Sequence, residues 1–422
     1  MNLPYYYLHE KKENDLTSQY YRRLAYDEIL SNLLVLSQVR KRIKKFKKSK
    51  KIFDNKFSEK LIKNFNFPLT LDQTRVIKEI NDDLSSDYKM FRILQGDVGS
   101  GKTIVSFVGA ANVIRSNYQV VMMAPTEILA KQHYDLAKKI FRSSDLRIEF
   151  LTGKTKPKDR KIIQNDLLNG KINFLIGTHA LFQKNIIFKK LGLAIIDEQH
   201  KFGVRQRIEL SNKGGKECDI LLMSATPIPR TLVMAVYGDM DVSRLVEKPM
   251  NRKEIITLSK PEEKIDEILL FIKKQIEEGN QVFWVCPLIE ESKKLDYSAA
   301  VKKFNFLSKK FFDKVGLIHG GLEKNKKDEV LLQFLNKKID ILVSTTVIEV
   351  GIDFPNANVI VIENSNKFGL SQLHQLRGRV GRGTKQGTCI LLYKKNLSEN
   401  AKKRIKILKS QLLWAVNLII KQ

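Results

Sequence analysis

The stretch Phe91-Arg-Ile-Leu-Gln-Gly96-Asp-Val-Gly-Ser-Gly101-Lys102-Thr103 decides the fold class of this chain. An apolar run typical of a buried strand leads into the pattern GxxxxGK[ST], and a helical segment begins at Ile104. Glycines allow such a loop to curl until successive backbone N–H groups point at phosphate oxygens. The N-terminus of the following helix adds a partial positive charge. The stretch therefore predicts a phosphate-binding loop between a strand and a helix.

Each position in this loop has an expected role in binding a nucleotide. The ammonium group of Lys102 is expected to reach the β- and γ-phosphates, and the hydroxyl of Thr103 is expected to bind Mg²⁺. The predicted nucleotide contacts in the loop are Gly96, Asp97, Val98, Gly99, Ser100, Gly101, Lys102 and Thr103.

Two adjacent acids, Asp197 and Glu198, follow another apolar run at residues 193–196. At the carboxyl end of a strand, Asp197 can hold Mg²⁺ directly or through water, opposite Thr103. Glu198 can orient and deprotonate the attacking water. Together with the phosphate-binding loop, this pair predicts nucleotide hydrolysis.

Short apolar runs alternate with helical segments along the chain, which is the pattern of parallel βαβ units. The runs lie at residues 91–94, 120–124, 174–176, 193–196, 221–223, 282–286, 315–318, 339–344, 359–362 and 388–392. Pro249 and Asn251 interrupt the alternation, which then restarts. We therefore predict an α/β fold with two tandem units, each a parallel sheet flanked by helices.

A helical segment at residues 17–46 precedes these units and ends in a run of basic residues. The predicted organisation is a helical arm and basic linker at 1–60, a first lobe at 61–245, a linker at 246–262, a second lobe at 263–396 and a C-terminal helix at 397–422.

The charge balance of the 422 residues favours a polyanionic partner. Lys and Arg number 75 against 46 Asp and Glu, which leaves a net charge of +29. Such an excess points to nucleic acid or an anionic membrane surface. Its densest part, the basic run at residues 40–51, is a candidate for phosphate binding or a solvated helix end. A genome bias that enriches lysine, asparagine and isoleucine is the alternative explanation.

Other sequence features exclude several protein classes. The three cysteines, Cys218, Cys286 and Cys389, are too far apart for a zinc clip or a disulfide framework. Nowhere do 18 consecutive apolar residues occur, so we expect no membrane span. His179 and His374 are expected to form hydrogen bonds rather than to bind a metal. The expected protein is cytoplasmic and monomeric, with no structural metal.

Two further motifs complete an ordered set. Ser224-Ala-Thr226 follows an apolar run, and Gln375-Leu-Arg-Gly-Arg379-Val-Gly-Arg382 comes near the end. Four motifs now stand in order: the phosphate-binding loop, the DExH box at Asp197-Glu-Gln-His200, the Ser-Ala-Thr motif and the QxxGRxGR motif. In this order they resemble the motifs of superfamily-2 helicases.

The segments at residues 197–207, 225–231 and 368–379 narrow the resemblance. They are similar to the RecG family of ATP-dependent DNA helicases, and the similarity extends over residues 20–410. The transcription-repair coupling factor shares much of this core, but the Gln199-His200 ending of the DExH box favours RecG.

The resemblance implies two RecA-like lobes that clamp ATP and Mg²⁺ between them. In such enzymes the second lobe supplies arginines to the γ-phosphate, and Arg379 and Arg382 occupy these positions. Gln375 would contact the γ-phosphate or the attacking water. The remaining implied ATP-site residues are Phe67 and Gln73, at the adenine, and Gly351 and Asp353, which couple nucleotide to nucleic acid.

The resemblance also implies contacts to the DNA backbone from both lobes. Hydroxyl and backbone N–H groups after strand ends suit phosphates, which carry no sequence information. The implied nucleic-acid contacts are Pro125, Thr126, Gly153, Lys154, Thr178 and His179 on the first lobe, and His319, Gly320, Thr345 and Thr346 on the second.

The function expected from this resemblance is an ATP-dependent helicase or translocase on branched DNA, acting in fork regression, Holliday-junction migration, recombination and repair. The alternatives are a duplex-DNA translocase that separates no strands, an inactive DNA-binding remnant, and an RNA helicase. The family's N-terminal wedge domain and its segment after Ser410 have no counterpart here, so we expect a truncated chain. Gly321 stands where the family usually has arginine.

Overall fold

The computed structural model describes residues 19–43, 47–65, 67–97, 99–197, 213–224, 240–247, 253–287, 293–345, 352–381, 383, 385–394, 397 and 399–409. The predicted roles of five residues concern positions outside these ranges, namely Val98, Glu198, Thr346, Gly351 and Arg382.

The first lobe is built on a parallel sheet of seven described strands in the order β3-β4-β2-β5-β6-β1-β7. Its strands are β1 (Phe91–Gly96), β2 (Gln119–Met123), β3 (Ile148–Leu151), β4 (Phe174–Gly177), β5 (Leu191–Ile196), β6 (Asp219–Ser224) and β7 (Asp241–Leu245). The central strands β2, β5 and β6 are buried along their whole length, as expected for a sheet covered on both faces.

Helices cover both faces of this sheet. They are α2 (Asn55–Lys63), α3 (Leu71–Leu84), α4 (Lys102–Arg115), α5 (Glu127–Ile140) and α6 (Pro157–Leu168). Helix α1 (Gln19–Ile43) precedes them, and its described side chains are mostly exposed. A reciprocal capping box between Thr70 and Gln73 starts α3, and Pro157 starts α6 at a position that needs no N–H partner. Helix α4 is buried from Ile104 to Ile114, because α2 and α3 cover it on the side away from the sheet.

The second lobe repeats this architecture with six described parallel strands in the order β10-β11-β9-β12-β13-β8. The strands are β8 (Ile256–Pro261), β9 (Gln281–Val285), β10 (Val315–Ile318), β11 (Ile341–Ser344), β12 (Ala357–Ile362) and β13 (Thr388–Tyr393). The helices are α7 (Ile265–Glu277), α8 (Lys293–Phe311), α9 (Lys324–Leu335), α10 (Leu370–Arg377) and α11 (Glu399–Lys409). The predicted fold class, two tandem parallel-sheet units flanked by helices after a helical arm, is confirmed.

Two predicted boundaries need correction. Strand β8 lies inside the predicted linker 246–262 and pairs in parallel with β13, so the second lobe begins before residue 263. Helix α2 crosses the predicted boundary between residues 60 and 61, and its Leu61 belongs to the core of the first lobe. Helix α2 and strand β8 both mix polar and apolar residues, yet each packs on a lobe.

Two lysines of the basic run at residues 40–51 are buried rather than exposed to solvent. The ammonium groups of Lys48 and Lys51 lie 2.7 and 2.6 Å from Oδ2 of Asp219, and all three side chains are fully buried. Oδ1 of Asp219 also accepts a hydrogen bond from the Met90 N–H at 2.7 Å. Burial lowers the pKa of Lys48, and the charge of Asp219 opposes this shift. Neither interpretation of the basic run, phosphate binding or a solvated helix end, therefore holds for Lys48 and Lys51.

None of the described helices combines the length and the hydropathy needed to cross a bilayer. Within the same residues no group of three or more His, Cys, Asp or Glu side chains is placed to bind a metal ion. The three cysteines are free and buried, and burial raises the pKa of Cys218 and of Cys389 to about 12.

Candidate functional site

The phosphate-binding loop joins β1 to α4, as the sequence predicts. Gly101 caps α4 in the left-handed region at φ 89°, and Gly99 lies at φ 80°. Residues with a Cβ rarely adopt this conformation. A Cβ at Gly96 would collide with the side chain of Ser100 and touch Leu245, so the loop can fold this closely only with glycine there.

Lys102 lies at the centre of this loop. Its Nζ donates hydrogen bonds to the carbonyl oxygens of Gly96 at 2.7 Å and Asp97 at 3.0 Å. The ammonium group is thus held over the concave side of the loop, where a phosphate would lie. Thr103 follows it in the first turn of α4, half-buried.

Gln73 contacts the phosphate-binding loop from α3. Its Nε2 donates to the Ser100 carbonyl at 2.9 Å, and its Oε1 accepts from the Thr70 N–H at 3.0 Å. The amide of Gln73 therefore fixes the loop to the start of α3. The ring of Phe67 stacks on Phe65, with 6.1 Å between centroids. The adenine contacts of Gln73 and Phe67 stay predictions.

Asp197 directly follows β5, and its backbone N–H donates to the Met123 carbonyl at 2.9 Å. Its Oδ2 lies 2.8 Å from Nε2 of His133 on α5, and both side chains are buried. An ionised carboxylate only accepts hydrogen bonds, so Nε2 is the donor. Hard oxygen donors such as the Asp197 carboxylate and the Thr103 hydroxyl are the ligands that Mg²⁺ takes in proteins.

The second lobe reaches the phosphate-binding loop through α10. Nε2 of His374 lies 3.1 and 3.2 Å from the two carboxylate oxygens of Asp97. Nδ1 of His374 lies 3.2 Å from Nη2 of Arg377, which can only donate, so the ring proton sits on Nε2 and points at Asp97. Burial lowers the pKa of Arg377. The prediction that His374 forms hydrogen bonds is confirmed, and its partner is the loop itself.

This helix and the turn that follows it carry two of the predicted catalytic residues. Gln375 is half-buried on α10, and Arg379 is buried in the turn that follows, with 4% of its surface exposed. The contact between His374 and Asp97 therefore brings the segment that contains both residues against the phosphate-binding loop.

Two further contacts join the lobes. Gln132 on α5 pairs with the backbone of Asp353: its Nε2 donates to the carbonyl at 2.8 Å, and its Oε1 accepts from the N–H at 3.0 Å. Nζ of Lys154 lies 3.4 Å from Oε2 of Glu127 and 3.7 Å from Oδ2 of Asp328 on α9. Two of the predicted nucleic-acid and coupling positions, Lys154 and Asp353, thus lie where the lobes meet.

The other predicted nucleic-acid contacts follow strand ends. Pro125 and Thr126 follow β2, and the Thr126 hydroxyl caps α5 by accepting from the Leu129 N–H. The buried hydroxyls of Thr178, after β4, and Thr345, after β11, have no hydrogen-bond partner among the described residues. The strands of a parallel sheet all end on the same side of the sheet. These positions therefore lie on the carboxyl-end side of the sheet in their lobe.

The remaining described contacts are more exposed. Gly153 and His179 are exposed on the first lobe, and the carbonyl of Gly320 accepts a hydrogen bond from Lys327. Burial lowers the pKa of His319, and the nearby Lys327 lowers it further. His319 and Gly320 follow β10 directly.

Sequence reasoning missed His133 and Arg377 as members of this site. His133 lies 64 residues from Asp197, and no spacing rule connects them. Arg377 lies inside the QxxGRxGR motif, where its position between two recognised residues was the available signal.

Comparisons with known proteins match both lobes of this chain to helicase domains. A family model described as DEAD/DEAH box helicase matches residues 70–235, and the model of the helicase conserved C-terminal domain matches residues 260–384. ATP-dependent DNA helicase RecG of Thermotoga maritima is 46% identical over 404 residues, which are 95% of this chain and 52% of that protein. The protein of the same name from Bacillus subtilis is 46% identical over 96% of this chain and 60% of its own length.

Solved structures also include a RecG protein that is similar to this chain. A structure of RecG bound to a three-way DNA junction has a TM-score of 0.82 and 44% identity, covering 92% of this chain and 51% of that one. The Dbp5 protein of S. cerevisiae, bound to RNA and ADP BeF3, has a TM-score of 0.61 at 17% identity over 87% of this chain and 96% of its own. At that identity it shares the fold alone.

The two lobes, with the phosphate-binding loop of the first in contact with the second, define a superfamily-2 helicase core. Within this class the chain belongs to the RecG family. It spans about half the length of the curated relatives that it matches.

Proposed function

We propose that this chain hydrolyses ATP with Mg²⁺ and uses closure of its lobes to move along DNA, as a RecG-type ATP-dependent DNA helicase. The observation that carries the proposal is the contact between Asp97 and His374, which joins the phosphate-binding loop to the arginine-bearing segment of the second lobe. A nucleotide held by the loop would meet charge from both lobes only when they are closed. Binding and hydrolysis would then change the distance between two DNA-holding lobes.

Mg²⁺ fits the side chains available at this site. Thr103 and Asp197 would hold it, and it would neutralise charge on the β- and γ-phosphates. Lys102 would bind the phosphates, Glu198 would orient the attacking water, and Gln375 would contact that water or the γ-phosphate. Arg379 and Arg382 would stabilise charge that develops on the γ-phosphate.

We infer that the substrate is DNA, and branched DNA where a junction-recognising segment such as the family's wedge domain is joined to these residues, with roles in fork regression, Holliday-junction migration, recombination and repair. The relative bound to a three-way junction supports this choice. ATPase assays with forked DNA, plain duplex and RNA as alternative stimulants test it directly. Stimulation by RNA alone would contradict the DNA assignment.

Arg382→Ala is expected to lower ATP turnover by about 10³-fold or more and to change ATP affinity by much less. A contact made chiefly in the transition state lowers the rate constant rather than ground-state binding. Steady-state hydrolysis and binding of a fluorescent ATP analogue measure the two effects separately. Equal losses in both would show that Arg382 does not act in the transition state.

Fork affinity and duplex affinity of this 422-residue chain are expected to differ by less than tenfold, or about 1.4 kcal/mol. The candidate contacts are hydroxyls, backbone groups and lysines, which hold phosphates without recognising a branch point. Both affinities should weaken steeply between about 50 and 200 mM salt. Fluorescence anisotropy with a fork and a length-matched duplex measures this. A larger fork preference that persists at high salt would place junction recognition within these residues.

A test variant and a matched control show which lysines contribute to the salt dependence of DNA binding. Lys154→Ala removes an exposed ammonium group and should reduce the logarithmic salt slope by about one unit. Lys51→Met removes an ammonium group that is buried against Asp219, and the slope should not change. A reduced slope in Lys51→Met would contradict our correction of the basic run, and an unchanged slope in Lys154→Ala would contradict a phosphate contact of Lys154.

A further inference from the structure

We propose that His133 is a positioning residue for ATP hydrolysis, which holds the Asp197 carboxylate in the orientation that Mg²⁺ requires. The proposal rests on the ATPase function proposed above. It assigns a role to a side chain on α5, outside the motifs that carry the nucleotide contacts.

The geometry of the pair supports a positioning role. Nε2 of His133 donates to Oδ2 of Asp197 at 2.8 Å, and the exposed fractions of the two side chains are 7% and 9%. In so buried a place a carboxylate without partners would be costly, and a well-directed donor restricts rotation of the carboxylate plane. Groups that hydrogen-bond to a metal-binding carboxylate orient it in this way.

Helix α5, which carries His133, also contacts the second lobe. The preceding residue, Gln132, holds the backbone of Asp353 in the second lobe through two hydrogen bonds. Ile128 and Leu129, one turn earlier on α5, share an apolar cluster with Ile352. The helix that orients Asp197 is therefore packed against the other lobe, so closure of the lobes would fix His133 and the carboxylate together.

The test compares His133→Met with His133→Gln. The two replacement side chains have similar length and helix propensity, but only glutamine can donate a hydrogen bond to Asp197. The first measurement is the affinity for Mn²⁺ in the presence of ADP, read from the electron paramagnetic resonance signal of free Mn²⁺. The second is steady-state ATP hydrolysis, and the control is Tyr134→Phe on the same helix.

We expect His133→Met to weaken Mn²⁺ binding and to lower kcat, each by about 10–100-fold, with a smaller change in KM for ATP. His133→Gln should recover most of both losses, and Tyr134→Phe should behave like the parent protein. Equal losses in the Met and Gln variants, or no loss in either, would overturn the proposal. If the parent chain binds Mn²⁺ with ADP as expected but hydrolyses no ATP, the proposed function is wrong. The orientation of the Asp197 carboxylate by His133 would still be supported by the Mn²⁺ affinities.

Gln132→Ala extends the test to the second lobe and remains informative if His133→Met does not fold. Because Gln132 would act through α5 and His133, its loss should weaken Mn²⁺ binding less than His133→Met does. In the double variant the two effects should not add, since both remove the same restraint. Full additivity, or no effect of Gln132→Ala on Mn²⁺ affinity, would contradict transmission through α5.

Discussion

Lys102→Ala is expected to reduce ATP turnover by at least about a hundredfold while both lobes stay folded. The ammonium group of Lys102 is held by the carbonyl oxygens of Gly96 and Asp97, so the substitution removes a charge from the phosphate site. It opens no apolar cavity, because the side chain lies in the cleft and not in the core.

Steady-state hydrolysis with saturating DNA measures the loss, and thermal unfolding confirms that the variant is folded. Lys131→Ala is the matched control: its ammonium group pairs with Asp135 on the exposed face of α5, and we expect parent-like turnover. Undiminished turnover in folded Lys102→Ala would contradict the nucleotide site.

The phosphate-binding loop and the buried strands could be predicted because the information is local. Gly96, Gly99 and Gly101 are required by the close approach and left-handed backbone of a single loop. Strands β2, β5 and β6 are buried on both faces, so each is a continuous apolar run that is visible in the sequence.

The strands missed by sequence analysis are β3, β7 and β8, and each lies at the edge of its sheet. An edge strand has one neighbour and is partly solvated, so its pattern mixes polar and apolar residues. In β7 only two of five residues are buried, and in β8 none is. The polar composition of β8 also explains why the second lobe was predicted to begin too late.

Partners that are distant in sequence could not be predicted. The basic run has the composition of a DNA-binding segment, yet Lys48 pairs with Asp219, 171 residues away. His374 likewise meets Asp97 across 277 residues. Only the fold of the two lobes brings such groups together, and local patterns of charge carry no information about it.

Asp219→Ala is expected to lower the free energy of unfolding of the first lobe by about 3–5 kcal/mol. The substitution leaves two ammonium groups, Lys48 and Lys51, buried without their shared counter-charge. It also leaves the N–H of Met90 without its acceptor at the start of β1. Removal of one partner from a buried ionic group costs far more than removal of the whole group, because the remaining charges stay desolvated.

Two variants separate this explanation from a general loss of charge. Asp87→Ala removes an exposed ion pair with Lys50 and should cost less than about 1 kcal/mol. Lys48→Met leaves Lys51 and Asp219 as a balanced pair and should cost less than Asp219→Ala. Urea denaturation followed by circular dichroism gives the three free energies. If Asp219→Ala costs no more than Asp87→Ala, the buried group of Lys48, Lys51 and Asp219 does not stabilise the first lobe, and the two lysines become available again as candidate contacts to DNA phosphates.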